Sequence, residues 1–339
     1  MQSEKKQRIA VIGAGSWGTA LAKSLVDSGH EVRLWARRPE VACRIEEERE
    51  NPFYLPGIKL GPSLRVVSRL EEALEGAQAV LSVVPTHALR EVLSQAAPLF
   101  PKEAVVISAT KGIENHTLKL ISEIFEEYLE GKQRENKAFL GGPSFAKEVA
   151  LGMPTAVVVA SRNPETAQKA QKLLGSERMR VYTTEDVTGI EIGGALKNVM
   201  AIAAGIADGL GFGHNTRAAI ITRGLAEIGR LAMKKGGHPL TLAGLGGVGD
   251  LVLTCTGDLS RNRRVGIELG KGRKIGEIIS ELSQVAEGVG TAQSAYHLAQ
   301  REGVEMPIVE MVYRVIYEGF SPREAVVALM SRPFRAERD

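Results

Sequence analysis

The chain has 339 residues, 44% hydrophobic and 24% charged, which exceeds what one core usually organises and leaves no room for a long disordered tract. Its 43 Lys and Arg stand against 40 Asp and Glu, and the resulting net charge of +3 is too small to imply nucleic acid or an anionic membrane as the main partner. The only two cysteines, Cys43 and Cys255, stand far apart and in no metal-ligand or redox spacing, so no disulfide framework is readable and a reducing cytoplasm is the expected location.

The basic start MQSEKKQRIAVIG runs straight into a glycine loop and lacks the apolar segment and cleavage site of a signal peptide. Short β-branched runs then alternate with amphipathic stretches of helical length, the signature of a parallel sheet covered by helices. The pattern predicts strands at Arg8–Ile12, Glu31–Trp35, Arg65–Val67, Ala79–Val84, Ala104–Ser108, Lys137–Leu140, Thr155–Ala160 and Arg180–Tyr182. After about Val187 helical periodicity prevails, and Leu251–Thr256 is the one strand-like run. The apolar stretch from Val199 to Ala207 is far below the roughly 20 residues that span a bilayer. No Pro- or Ser-rich linker separates the halves, so they are expected to pack tightly, with the active site in the cleft between them.

Gly13-Ala14-Gly15-Ser16-Trp17-Gly18 lies between the strand RIAVI and the helical pattern TALAKSLVDSG, the context that a dinucleotide-binding loop requires. Gly13 permits the tight turn, Gly15 lets backbone approach a pyrophosphate, and Gly18 allows close helix–strand packing. A ligand-free turn is the plainer alternative. Gly244-Leu245-Gly246-Gly247-Val248-Gly249 matches the same spacing without that context, since it precedes the strand-like DLVLTCT, and reads as a flexible loop. The fold class expected is therefore α/β, with an N-terminal Rossmann-like, mostly parallel sheet domain over 1–187 and a C-terminal all-α domain over 188–339. At the end of the second strand, LWARRPE puts Ala36 where an acidic residue would grip the ribose of NAD. Arg37 and Arg38 follow, so the cofactor is NADP or NAD with NADP favoured, unless both arginines are simply solvated charge.

Several polar residues are placed for chemistry. Lys197 interrupts the apolar stretch GIEIGGALKNVMAIAAGIAD, where burial lowers a lysine pKa toward the range useful for proton transfer; a lysine snorkelling to solvent fits equally well. Asn198 beside it suits a polar substrate or a neighbouring backbone group. Lys111 follows the carboxyl end of a strand, where open α/β sheets bind ligands, or is an ordinary exposed loop lysine. Gly142-Pro143-Ser144 opens a short helix at the same edge, with Ser144 a ligand or its N-cap. Ser260-Arg261-Asn262-Arg263-Arg264 concentrates guanidiniums suited to a phosphate ester, and Asp250 either orients Lys197 or caps a turn. None of the six histidines is paired for a metal site, no metal is expected, and His214 is the fallback base.

Taken together, IGAGSWGTALA, NPFYLPG, SATKGIE, GGPSFAKEV, GGALKNVMAIAAGIADGLGFG, GLGGVGDLVLTCTGDLSRNRRVG and VAEGVGT make the chain resemble, over nearly its whole length, the bacterial-type NAD(P)-dependent glycerol-3-phosphate dehydrogenases. The resemblance implies interconversion of sn-glycerol 3-phosphate and dihydroxyacetone phosphate, feeding phospholipid synthesis. It implies Lys197 as proton acceptor, with Asp250 and Lys111 completing the catalytic set. It places Lys111, Gly142, Ser144, Ser260, Arg261 and Asn262 around the triose phosphate. Around the dinucleotide it places Ser16, Trp17, Arg37, Arg38, Tyr54, Lys111, Ala146, Arg261, Val285 and Glu287, beside the loop glycines Gly13, Gly15 and Gly18. The rival readings are a dehydrogenase of the β-hydroxy acid or ketopantoate type and a non-catalytic dinucleotide redox sensor. The apolar helical half also makes a homodimer reasonable.

Overall fold

The run RIAVI forms strand β1 (Arg8–Ile12), with its last four residues buried because both faces of the sheet are covered. The computed structural model describes residues 6–281, 286–334 and 336–337. Among the described residues nine further strands follow: β2 (Glu31–Trp35), β3 (Glu50–Asn51), β4 (Leu55–Lys59), β5 (Leu64–Val67), β6 (Ala79–Ser82), β7 (Val105–Ser108), β8 (Lys137–Gly141), β9 (Thr155–Ala160) and β10 (Met179–Thr184). Eight of these ten strands, β1 included, make one sheet in the order β10, β9, β8, β7, β6, β1, β2, β5. All neighbours are parallel except β8 and β9. The chain leaves β1 toward β2 on one side and returns to β6 on the other, so β1 and β6 flank the switch point where a crevice opens at the carboxyl ends.

The eight predicted strands are all present: Arg8–Ile12, Glu31–Trp35 and Thr155–Ala160 with the expected ends, the others with ends shifted by one or two residues. The β3–β4 ribbon was not anticipated, because β3 is too short to show periodicity. Two expectations fail in the second half. Leu251–Thr256 is not a strand but part of a helix, Asp250–Thr256, and the glycine segment before it is not a loose loop but a helical turn over Leu245–Gly249. The cause is backbone contact: a Cβ on Gly247 would lie 2.0 Å from the Leu242 carbonyl oxygen, and one on Gly193 would lie 2.6 Å from that of Gly246. Only glycines let this turn wind tightly against the neighbouring helix.

That neighbour is the central helix, Val187–Gly209, in which 20 residues are buried. A helix apolar all round belongs inside a core, and its neighbours here are the helices His214–Lys234, Asp250–Thr256, Arg261–Gly270, Glu287–Glu302 and Pro307–Tyr317. By length and composition it could cross a membrane, unlike the shorter run read from sequence, but its apolar window is buried entirely within protein. Its N-terminal turn docks on the sheet half, where the buried Glu191 carboxylate accepts hydrogen bonds from the Ser122 N–H at 2.6 Å and the Ser122 hydroxyl at 2.5 Å.

Candidate active site

A cleft of about 730 Å³ lies over the carboxyl ends of β1, β2, β6 and β7 and reaches across to the central helix. Gly13, Gly15, Ser16, Trp17, Gly18, Arg37, Arg38, Tyr54 and Ala146 line the sheet side, as expected for a dinucleotide. The three loop glycines differ in physical role. Gly13 has φ +116°, and a Cβ there would sit 2.6 Å from the Val83 carbonyl oxygen. A Cβ on Gly18 would lie 1.8 Å from the Gly13 oxygen, so both are dictated by the turn itself. Gly15 has nothing within 4 Å of its Cβ direction; a side chain there would occupy only cleft. It is also the N-cap of the helix Ser16–Asp27, with no side-chain cap on the first N–H groups. Uncapped donors at a helix N-terminus under an open cradle suit a pyrophosphate.

Sequence reasoning missed the buried Asn51, which holds this loop in place. Its amide donates to the Ala14 carbonyl at 2.9 Å and to the Thr19 hydroxyl at 2.8 Å, while its oxygen accepts the Tyr54 N–H at 3.1 Å. Its only sequence signal is its place at the head of NPFYLPG. Ser16 donates to the Tyr54 carbonyl at 2.7 Å, tying the β3–β4 ribbon to the loop a second time. At the end of β2 the cleft meets Ala36, Arg37 and Arg38 and no carboxylate from that turn. Arg38 donates to the Tyr54 hydroxyl at 3.3 Å.

At the far wall, Lys197 and Asn198 project from the middle of the central helix. Lys197 is 7% exposed, so it does not snorkel. Its ammonium donates to one carboxylate oxygen of the fully buried Asp250, and Lys111, from the segment after β7, donates to the other at 3.0 Å. One anion is shared by two cations. Burial pushes the Lys197 ammonium down to about 8; Asp250 opposes that fall and Lys111 adds to it. Asp250 itself does not reach the cleft. It stands behind the lysines at the start of its helix, brought there by the glycine turn.

Ser260, Arg261, Asn262 and Arg264 line the same end of the cleft. Ser260 is the N-cap of the helix Arg261–Gly270 and accepts the Arg263 N–H at 3.2 Å. Asn262 is oriented by two bonds: its oxygen accepts the Gly288 N–H at 3.0 Å and its amide donates to the Asn198 oxygen at 2.9 Å. Glu287 opens the helix Glu287–Glu302 facing Arg261; burial raises its carboxyl pKa, against the pull of Arg261, Lys111 and Lys197. Ser144 lines the cleft, but the N-cap of the following helix is Phe145, so Ser144 is not the cap; its hydroxyl donates to the Gly142 carbonyl at 3.1 Å. Gly142 lies behind the lining with φ +103°, a turn position. His214 begins the helix His214–Lys234 away from the cleft, and Val285 lies outside the described residues. Residues not anticipated at the cleft include His87, Thr110 and Lys147. Among the described residues no group of three or more His, Cys, Asp or Glu is arranged to hold a metal ion.

Two family models match the chain: the NAD-dependent glycerol-3-phosphate dehydrogenase N-terminus over residues 8–167 and the C-terminus of the same family over 186–327. The chain belongs to the NAD-dependent glycerol-3-phosphate dehydrogenase family. It is 55% identical over 331 residues to a glycerol-3-phosphate dehydrogenase [NAD(P)+] of Citrifermentans bemidjiense, covering 98% of this chain and 99% of that one. A Myxococcus xanthus protein of the same description is 53% identical over 330 residues, covering 97% and 98%. The crystal structure of glycerol-3-phosphate dehydrogenase from Coxiella burnetii superposes with a TM-score of 0.92 at 40% identity, covering 96% of this chain and 99% of that one. A ketopantoate reductase from Ralstonia eutropha, at 15% identity and a TM-score of 0.61, shares the fold alone.

Proposed function

We propose that this chain catalyses the NAD(P)-dependent interconversion of sn-glycerol 3-phosphate and dihydroxyacetone phosphate, which would supply glycerol 3-phosphate for phospholipid synthesis. The observation that carries the reading is the convergence, in one cleft, of a dinucleotide cradle, a buried lysine held by Asp250, and a guanidinium-bearing helix N-terminus. The dinucleotide, when bound, gives or takes the hydride at substrate C2. Gly15 and the first turn of the Ser16–Asp27 helix would hold its pyrophosphate, and Arg37 and Arg38 favour NADP by receiving a 2′-phosphate.

Lys197 is the proton-transfer residue in this reading. In the reducing direction its ammonium gives a proton to the C2 oxygen as negative charge develops there; in the oxidising direction the neutral amine takes the hydroxyl proton. Asp250 keeps the ammonium oriented and favours its charged form, and Lys111 brings a second cation to the developing oxyanion. Arg261 and Asn262 anchor the substrate phosphate, with Gly142, Ser144 and Ser260 shaping that end. Binding energy gathered at the phosphate aligns the carbon that reacts.

The division into 1–187 and 188–339 is supported by the sheet ending at Thr184 and the central helix starting at Val187. A homodimer is favoured by apolar side chains on the helical surface, among them Val327, 67% exposed, and Met330, 81% exposed. The free cysteines Cys43 and Cys255 favour a reducing compartment, which supports the reading of a cytoplasmic location.

The deciding assay is dihydroxyacetone-phosphate-dependent oxidation of NADPH and of NADH by wild type and Lys197→Ala. Turnover that collapses in the variant is expected. Coenzyme binding without turnover on this substrate would overturn the reading and point to a β-hydroxy acid or ketopantoate substrate, or to a redox sensor.

A further inference from the structure

Beyond the cleft, a largely buried charge cluster in the helical half centres on Asp208. Asp208 lies in the last turn of the central helix, where the backbone dipoles already concentrate partial negative charge, so a carboxylate there is unfavourable unless cations answer it. Two do. Arg217 donates from Nε at 3.1 Å and from Nη2 at 2.6 Å to Asp208 Oδ1, and Arg263 donates from Nε at 2.8 Å to Oδ2. The side chains of Asp208, Arg217 and Arg263 are only 10%, 20% and 14% exposed, so solvent weakens these bonds little.

Arg263 is the third residue of the helix that begins at Arg261. Its backbone N–H is held by the Ser260 cap, and its side chain by Asp208 and, from Nη1 at 2.9 Å, by the exposed Asp258. Asn262, one residue earlier, is held by Asn198 and Gly288. The first turn is thus pinned at Asn262 and Arg263, the two residues that follow Arg261. Behind it the two helices touch backbone to backbone: a Cβ on Gly205 would lie 2.0 Å from the Arg263 oxygen, and one on Gly266 would lie 2.1 Å from that of Ile202. Helices in such contact have no side-chain layer to absorb a shift, so a change at Asp208 passes directly to the Arg261 turn.

We propose that Asp208 is a positioning residue for the substrate phosphate, acting through Arg263 to hold the Ser260–Arg264 turn in register with Lys197. The proposal rests on the reading of Arg261 as a phosphate anchor. Asp208 touches no substrate; it sets the separation between the group that transfers the proton and the group that grips the phosphate. Neutralising Arg263 at short range also keeps that guanidinium out of the cleft as a competing phosphate ligand.

The test is a cycle of Asp208→Asn, Arg261→Ala and the double variant in the full-length chain, measuring kcat and KM for dihydroxyacetone phosphate and the Kd of NADPH. Asp208→Asn should lower kcat/KM by about 10- to 100-fold, the scale of a misplaced substrate, with NADPH affinity unchanged. In the Arg261→Ala background it should cost less than about 3-fold more, because the anchor it positions is gone. Losses that multiply in the double variant, or no loss in the single one, overturn the proposal while leaving the anchor intact. An Arg261→Ala variant with wild-type kinetics sinks the anchor reading and the role of Asp208 together. If Asp208→Asn fails to bind NADPH at all, Arg263→Lys, which keeps the charge but loses the two-sided reach, takes its place in the cycle and is judged by the same outcomes.

Discussion

Lys197 and Asp250 form an ion pair almost wholly withdrawn from water: the lysine is 7% exposed and the aspartate 0%. Two opposed effects meet in it. Burial favours the neutral amine, the Asp250 charge favours the ammonium, and the balance leaves Lys197 titrating near 8. The rate of ketone reduction, which needs the ammonium, should therefore fall as pH rises through about 8, while the rate of alcohol oxidation, which needs the amine, should rise through the same value. Profiles of kcat/KM against pH in the two directions check this. Asp250→Asn removes the larger of the effects that sustain the charge, so the inflection should move to lower pH. With two lysines left facing an uncharged amide, the fold should lose about 3 to 5 kcal/mol, the usual cost of breaking a buried pair, measurable by denaturant titration. An inflection that stays near its wild-type pH in Asp250→Asn would show that Asp250 does not govern Lys197.

Gly15 and Gly18 stand three residues apart in one loop yet should respond oppositely to substitution. A Cβ on Gly18 has the Gly13 oxygen 1.8 Å away, so Gly18→Ala should lower the melting temperature by several degrees. Gly15→Val meets no protein atom within 4 Å of its Cβ, so the melting temperature should hold while coenzyme affinity drops by at least about 10-fold. Equal affinities for wild type and Gly15→Val, by NADPH fluorescence titration, would mean that the cradle does not seat the pyrophosphate.

In the proposed reading, Arg37 and Arg38 carry the coenzyme preference. Replacing both with Ala should cut kcat/KM for NADPH by about 10- to 100-fold, since each charge-assisted bond to phosphate contributes on the order of 1.5 to 3 kcal/mol and the arginines are partly solvated. NADH kinetics should move by less than about 3-fold, as its ribose lacks the phosphate. Parallel steady-state assays with the two coenzymes separate these outcomes, and equal losses on both would assign the arginines to general binding.

Glu191 makes stability depend on pH through a group outside the proposed chemistry. Burial holds its carboxyl at about 8, above the usual 4.5, with both Ser122 hydrogen bonds working against that rise. Below about 4 both folded and unfolded chains carry the proton and the contribution is intact. As pH climbs, the unfolded chain ionises first and the folded state loses stability until Glu191 itself ionises near 8. In Glu191→Gln the amide oxygen can accept the Ser122 N–H and the amide N–H can donate to its hydroxyl, mimicking the protonated acid. The melting temperature of Glu191→Gln relative to wild type should therefore increase steadily from pH 5 to pH 8, as seen by scanning calorimetry. A difference that is flat across that range would place the ionisation elsewhere.

Local chemistry was legible before any coordinates. The turn at Gly13 to Gly18 could be read because each requirement, a strand, a positive φ, a close helix and an open cradle, falls within one short stretch of chain. The inner strands β6 and β7 were legible because a strand buried on both faces is apolar along its length, and β10 at the edge because buried and exposed residues alternate along its first half. The arginines after β2 were legible because the carboxylate whose place Ala36 takes, just before them, has a definite position in the turn.

Everything that makes the centre a centre is long-range. Lys197 meets Asp250 across 53 positions and Lys111 meets it across 139, and no periodicity encodes such pairs. Whether Lys197 was buried or snorkelling turned on which helices cover the central one. Leu251–Thr256 carries β-branched residues that suggest a strand, but packing against the central helix outweighed that weak local preference and wound it into the helix that presents Asp250. Asn51 has one local partner, the Tyr54 N–H; its bonds to Ala14 and Thr19 exist only once the β3–β4 ribbon folds back over the glycine loop. The sequence by itself determined the eight strands of the large sheet and the turn at the glycine loop, because those depend on neighbours in the chain. The tertiary structure decided the charge environment of Lys197 and the grip on the Arg261 turn, because burial and pairing depend on neighbours in space.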